Sequence, residues 1–232
     1  MDANHPRQIK SFVLRQGRLT KGQELALATA WPQYGIAEGQ GWLDFAAIFG
    51  NAAPVSLEIG FGNGESLAQM ARTAPERNFL GIEVHTPGVG HLLHLVQKYQ
   101  LENLRVMNTD AVEIIQQRIP TGSLNRIQIY FPDPWHKKRH HKRRIIQAAF
   151  VSLLATRLQA GGLLHLATDW QDYAQAMAEV LDASPDFCTM NPSGEPFSPR
   201  PEFRPLTKFE QRGLRLGHGV WDLLYCKQEL SH

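Results

Sequence analysis

Asp133 stands between two prolines in the stretch Arg126 to Arg144, RIQIYFPDPWHKKRHHKRR, where the composition changes abruptly. The residues ahead of it, Ile127, Ile129, Tyr130 and Phe131, have the length and the β-branched and aromatic bias of a buried strand. Proline cannot donate to a sheet ladder, so Pro132 and Pro134 end that strand and hold the carboxylate in a fixed loop. Six Lys or Arg follow within residues 137 to 144, with His140 and His141 among them. A rigidly held acid beside a dense cationic run suits chemistry on a polyanion. The whole chain carries 24 Lys+Arg against 22 Asp+Glu; outside residues 137 to 144, which hold no acid, 18 basic residues face 22 acidic ones. The positive charge is therefore local, as a polyphosphate contact requires, and is not a general coat.

An acid so placed needs a frame, and the pattern from Val55 onward supplies one. Short apolar runs, Val55 to Ile59, Phe79 to Val84, Leu104 to Met107, Arg126 to Phe131 and Leu163 to Thr168, alternate with segments of helical periodicity, and Val220 to Cys226 reads as a last strand. The helix after the fourth strand is expected from about Lys142 to Leu158, with Gly161-Gly162 ending it. Such alternation predicts an α/β fold, a doubly wound and mostly parallel sheet with helices on both faces. In these sheets ligands bind beyond the carboxyl ends of the strands, and acids fall at five successive ends: Glu58, Glu83, Asp110, Asp133 and Asp169. One such acid is explained by capping the next helix; five in a row are not.

Between the first strand and its helix lies Glu58-Ile59-Gly60-Phe61-Gly62-Asn63-Gly64. Glycines there let a ligand approach the backbone, near the amides of a helix N-terminus. A dinucleotide fingerprint places its third glycine three residues after the second, where this chain has Glu65. The spacing and the acid ahead of it disfavour a pyrophosphate, and with it a nicotinamide-dependent dehydrogenase. Glu58 favours instead a cationic ligand such as the sulfonium and ammonium of S-adenosylmethionine, with Glu83 placed for ribose hydroxyls and Asp110 for an adenine amino group.

The length of 232 residues with 43% apolar content suits one domain, residues 1 to 232, with a basic extension over about the first 50. That extension is either a flexible tail or an arm that orders over a bound ligand; Trp31-Pro32 starts an irregular stretch in it, and Trp42 to Phe49 has helical spacing. Cys188 and Cys226 lack the spacing of a metal or redox motif and read as reduced packing residues. No signal-peptide core and no membrane-length apolar run is present, so a cytoplasmic protein with no membrane partner is expected. Residues 185 to 205 hold six of the fourteen prolines and predict a long irregular loop. His136, His140 and His141 invite a metal reading, which the surrounding cations oppose; no metal is expected.

EIGFGNGESL, FLGIEVHTPGVG, FPDPWHKKRHHKRR, ATDW at 167 to 170, and TKFEQRG followed by LGHGVWDLLY resemble the bacterial tRNA (guanine-N(7)-)-methyltransferase family, from roughly Arg15 to near the C-terminus. The resemblance implies a seven-stranded class I methyltransferase sheet. It implies that Glu58, Gly60, Gly62, Glu83, Asp110 and Asp133 line an S-adenosylmethionine pocket, with Asp133 catalytic. It further implies that Lys137, Asp169, Thr207, Lys208, Phe209 and Glu210 contact substrate, and that Arg139, His140, His141, Lys142, Arg143 and Arg144 meet the RNA. The substrate it implies is the guanosine at tRNA position 46, in the variable loop. Another RNA or a small molecule remains the alternative substrate. Trp135 and Phe209 either stack on bases or pack inward, and nothing calls for an obligatory protein partner, with monomer and homodimer both open.

Overall fold

The computed structural model describes residues 11–12, 17–207, 210 and 219–229. Its centre is a seven-stranded sheet in the order β3-β2-β1-β4-β5-β7-β6. The strands are β1 (Val55–Ile59), β2 (Asn78–Ile82), β3 (Leu104–Met107), β4 (Leu124–Tyr130), β5 (Leu158–Thr168), β6 (Phe187–Thr189) and β7 (Trp221–Lys227). The first five pair in parallel, and β7 runs antiparallel to both β5 and β6. The helices are α1 (Lys21–Tyr34), α2 (Phe45–Phe49), α3 (Glu65–Thr73), α4 (Thr86–Tyr99), α5 (Ala111–Gln117), α6 (Ala148–Arg157) and α7 (Gln171–Asp182). None of the described helices is long and apolar enough to cross a membrane.

The two faces of the sheet differ. Leu57, Ile59, Ile127, Ile129, Leu164, Leu166 and Leu223 form one continuous apolar core with residues of α5, α6 and α7. On the other face Phe79, Leu104 and Val106 pack with α1, α3 and α4. Beside them, alternate positions of the central strands carry Glu58, Gln128, His165 and Asp222, all buried. Burial of a polar residue is tolerated only where it is hydrogen-bonded, which makes this half of the sheet a place for specific contacts.

Four expectations change. The supposed irregular stretch at Trp31-Pro32 belongs to α1, which Thr20 starts with a reciprocal capping box to Gln23 and in which Pro32 falls in the last turn. The signal was Thr20-x-x-Gln23, and a proline so near the helix end breaks little. The helix expected from about Lys142 is instead a 3₁₀ helix, Lys138–Arg143, a break, and then α6 from Ala148. A run of like charges repels at i, i+4 spacing in an α-helix. Gly161 and Gly162 lie inside β5, with Gly161 at φ 69° and the register against β4 shifting there, so they serve an irregularity in a strand and not a helix end. The proline-rich segment also contains β6, too short at three residues to show a period.

Candidate active site at the strand ends

A cavity of about 470 Å³ opens at the carboxyl ends of the parallel strands, within the range of small-molecule sites. Gly60, Glu83, Asp110 and Asp133 line it, and so do Tyr130, Phe131 and the N-terminal pair Ser11 and Phe12. Gly60 and Gly62 have φ of 73° and 57°, and among the described residues a Cβ at either would meet nothing within 4 Å. The loop backbone therefore faces open space in a conformation that glycine alone adopts without strain. Glu83 holds the loop in place: one carboxylate oxygen accepts the Gly62 N–H at 2.8 Å, and the other accepts Val84 N–H at 2.7 Å and His85 N–H at 2.9 Å. A carboxylate offers about four acceptor positions, so one stays available to a ligand hydroxyl. Asp110 caps α5 through Val112 N–H at 3.0 Å while still lining the cavity.

Glu58 sits differently. Its carboxyl is 3% exposed and accepts Gln128 Nε2–H at 2.7 Å, behind the glycine loop. Burial pushes it up to about 7, the Glu83 charge adds to the rise, and the Gln128 bond opposes it. Gln128 Oε1 and Ser56 Oγ nearby have no hydrogen-bond partner among the described residues, which do not fully satisfy the polar half-face under the loop.

The proline loop is shaped as its sequence suggests. Phe131 and Trp135 both adopt left-handed backbone, φ 51° and 47°, a strain of about 1–3 kcal/mol each that clusters at functional sites. Asp133 lies between them, exposed, with Oδ1 accepting Trp135 N–H at 2.9 Å. Trp135 is 9% exposed; its indole N–H donates to the Ser11 carbonyl at 3.2 Å, and Arg143 stacks on its ring at 3.9 Å. It packs beneath its loop. Arg143 also reaches the Phe12 carbonyl, so the ridge and the N-terminal segment are tied together at the cavity wall.

The basic residues divide by burial. Lys137, Lys138, Arg139 and Lys142 are exposed. Arg144 is 5% exposed and turns inward, to Asp172 at 2.5 Å, the Pro134 carbonyl at 2.9 Å and the Tyr173 ring at 4.6 Å. Its hydrogen bond and charge hold Asp172 below the usual carboxylate range. The three histidines face three different partners: His136 the Trp170 ring, His140 the Trp135 ring, and His141 the Arg144 guanidinium. Desolvation and the neighbouring cations, Arg139 first among them, lower the His140 pKa, which keeps that imidazole neutral at physiological pH.

Asp169 follows β5 half-buried and is not the cap of α7; that position belongs to Trp170. Thr207 is described, and Lys208 and Phe209 lie outside the described residues. Glu210 is 2% exposed: it accepts Arg204 Nη1–H at 2.7 Å and Thr207 N–H at 3.1 Å. Arg204, 1% exposed, also clamps Asp222 at 2.7 and 2.8 Å. Asp222 accepts His165 Nε2 at 2.7 Å, and His165 Nδ1 meets Tyr130 Oη at 2.9 Å. Burial keeps His165 below its ordinary pKa although Asp222 opposes this, so the neutral ring donates from Nε2 and accepts from the Tyr130 hydroxyl. The chain of contacts links the end of β4, one residue from Phe131, to Thr207. Sequence reasoning did not single out His165, Arg204 or Asp222. A histidine inside LLHLAT and an aspartate inside VWDLLY were the available signals, since a charged group within an apolar strand requires a buried partner.

Comparison with known proteins accords with this geometry. Residues 52–223 match a family model described as a putative methyltransferase. A tRNA (guanine-N(7)-)-methyltransferase of Alcanivorax borkumensis is 57% identical over 96% of this chain and 92% of its own length. The enzymes of that name from Sodalis glossinidius and Methylococcus capsulatus are 58% and 55% identical over 95% and 97% of this chain, and 92% and 96% of theirs. Among solved structures, the 16S rRNA methyltransferase KamB superposes with a TM-score of 0.54 at 16% identity, covering 82% of this chain and 96% of that one. An rRNA methylase from Streptococcus thermophilus gives 0.51 at 12%, covering 77% and 89%. Those two likenesses establish the fold, a class I methyltransferase sheet, while the identity along nearly the whole chain goes further: this protein belongs to the tRNA (guanine-N(7)-)-methyltransferase family.

Proposed function

We propose that this chain transfers the methyl group of S-adenosylmethionine to N(7) of a guanosine in tRNA, and that the target is position 46 in the variable loop. The observation that carries the reading is the meeting of an acid-lined cavity and a cationic ridge at one loop, Phe131 to Arg143, with Asp133 lining the cavity and Lys137, Lys138, Arg139 and Lys142 exposed a few residues further along. The donor supplies an electrophilic methyl group. The cavity suits it: the Gly60 and Gly62 backbone faces open space, Glu83 keeps an acceptor free, and the acids match a cation.

Guanine N(7) already carries an in-plane lone pair, so no proton has to leave before it attacks. The protein's task is to hold that nitrogen in line with the methyl group. Asp133 suits it, because Trp135 N–H occupies only Oδ1 and leaves Oδ2 for the guanine N–H edge. The purine becomes cationic on methylation, and a carboxylate at that edge also stabilises the developing charge. Asp169 is the second acid within the substrate side. An enzyme that works on tRNA acts where tRNA matures, in the cytoplasm.

Labelled S-adenosylmethionine and unmodified tRNA, followed by mapping of the methylated base, test the reading directly. Label at N(7) of a variable-loop guanosine is expected; label elsewhere, or only on another RNA or a small molecule, would replace it. Asp133→Ala should lower kcat by about a hundredfold or more while donor binding survives in part. Turnover near the wild-type value would remove Asp133 from its role.

A further inference from the structure

Trp170 and His136 are large side chains near the reacting loop that the mechanism leaves unused. Trp170 comes directly after Asp169 and is 41% exposed, rare for an aromatic of that size beside a site. It occupies the N-cap of α7, a position where Ser, Thr, Asp or Asn would stabilise the helix, and it makes no side-chain hydrogen bond there. Its backbone N–H donates to Thr168 Oγ1 at 3.2 Å, which fixes the turn. Its indole meets the exposed His136 imidazole edge on, with centroids 4.2 Å apart at 68°. His136 continues the Asp133-Pro134-Trp135 loop and precedes Lys137, so the ring pair joins the residue after Asp169 to the residue before the first lysine of the cationic ridge.

Helix formation does not select a tryptophan here, and burial does not explain it. A braced, exposed ring beside cations is what an unstacked nucleobase requires: its π face lies on the indole while the adjoining phosphates meet Lys and Arg. We infer that Trp170, held by His136, is a stacking platform for an unstacked base of the RNA substrate. The inference rests on the tRNA methyltransferase reading above and adds a binding residue to it. Because the ring is exposed and lies outside both apolar cores, its removal should leave the fold intact.

The test compares wild type, Trp170→Ala and Trp170→Phe on unmodified tRNA, with donor affinity and melting temperature measured alongside. Trp170→Ala should raise the KM for tRNA, and the Kd, by roughly tenfold to a hundredfold, the size of one base–aromatic stack. Trp170→Phe should recover most of that loss, since it restores a π face. Donor affinity and melting temperature should not move. A tRNA KM in Trp170→Ala within about twofold of wild type, or an equal fall in donor affinity, would overturn the stacking role. If the wild-type protein itself fails to methylate tRNA, the functional reading goes and this inference with it.

Discussion

Glu58 has its ordinary carboxyl chemistry changed by position alone. Folding moves its pKa from 4.5 to about 7, chiefly by loss of water. The folded state therefore binds more protons than the unfolded state between those values, and stability falls as pH rises through that window. The full shift corresponds to on the order of 3 kcal/mol. Thermal melts of Glu58→Gln across the same window should show a flatter pH dependence than wild type; an identical dependence would assign it to another group. Glu83 is the contrast. Three backbone N–H groups satisfy it and shape the glycine loop, so an acid read from the sequence as a ligand contact also serves as a structural brace.

At the scale of elements, the cationic run does two jobs that its composition does not separate. The 3₁₀ helix turns Lys138, Arg139 and Lys142 outward, and the break after it lets Arg144 reach back to Pro134 and Asp172. Charge reversal at Lys138 and Arg139 should weaken tRNA binding and flatten its salt dependence, by about 0.7 to 0.9 in the log–log slope for each phosphate that is no longer neutralised. Arg144→Ala should leave that slope alone and cost about 1 kcal/mol or more of stability, because a carbonyl loses its donor. Titration of tRNA binding against salt for the two variants separates the roles. The strands and their acids were legible because β1 and β4 are short apolar runs closely followed by glycine and by proline, and β3 is a short apolar run that gives way to the polar Asn108-Thr109-Asp110. The strand assignment of Gly161-Gly162 was not, since it depends on a partner far along the chain, β4 for the register of β5, and neither was the inward turn of Arg144, which depends on Asp172; the 3₁₀ helix before it has a local cause in its run of like charges.

Across the whole molecule, the cavity is lined in part by a stretch of the chain that looked peripheral. Ser11 and Phe12 line it, and their carbonyls accept from Trp135 and Arg143, so this pair forms part of the cavity wall. Removing residues 1–19 keeps the Thr20 cap of α1 and should therefore change the melting temperature by only a few degrees, while donor and tRNA affinity fall together as the wall is removed. Calorimetric titration of both ligands against the shortened protein checks this, and unchanged affinities would return the segment to the status of a tail.

What the sequence determined by itself is local: the alternation of strands and helices, the glycine loop, the acids at the strand ends, and a carboxylate fixed between prolines ahead of a cationic run. Each of these follows from residues adjacent in the chain, where propensity, proline geometry and charge spacing act directly. Only the tertiary structure decided that Glu58 is buried behind the loop, that Arg144 and Glu210 point inward, and that Arg204 joins Asp222 to Glu210. Those outcomes turn on desolvation and on pairing between groups distant in sequence, and a charge reveals its partner only once the sheet has brought the two together.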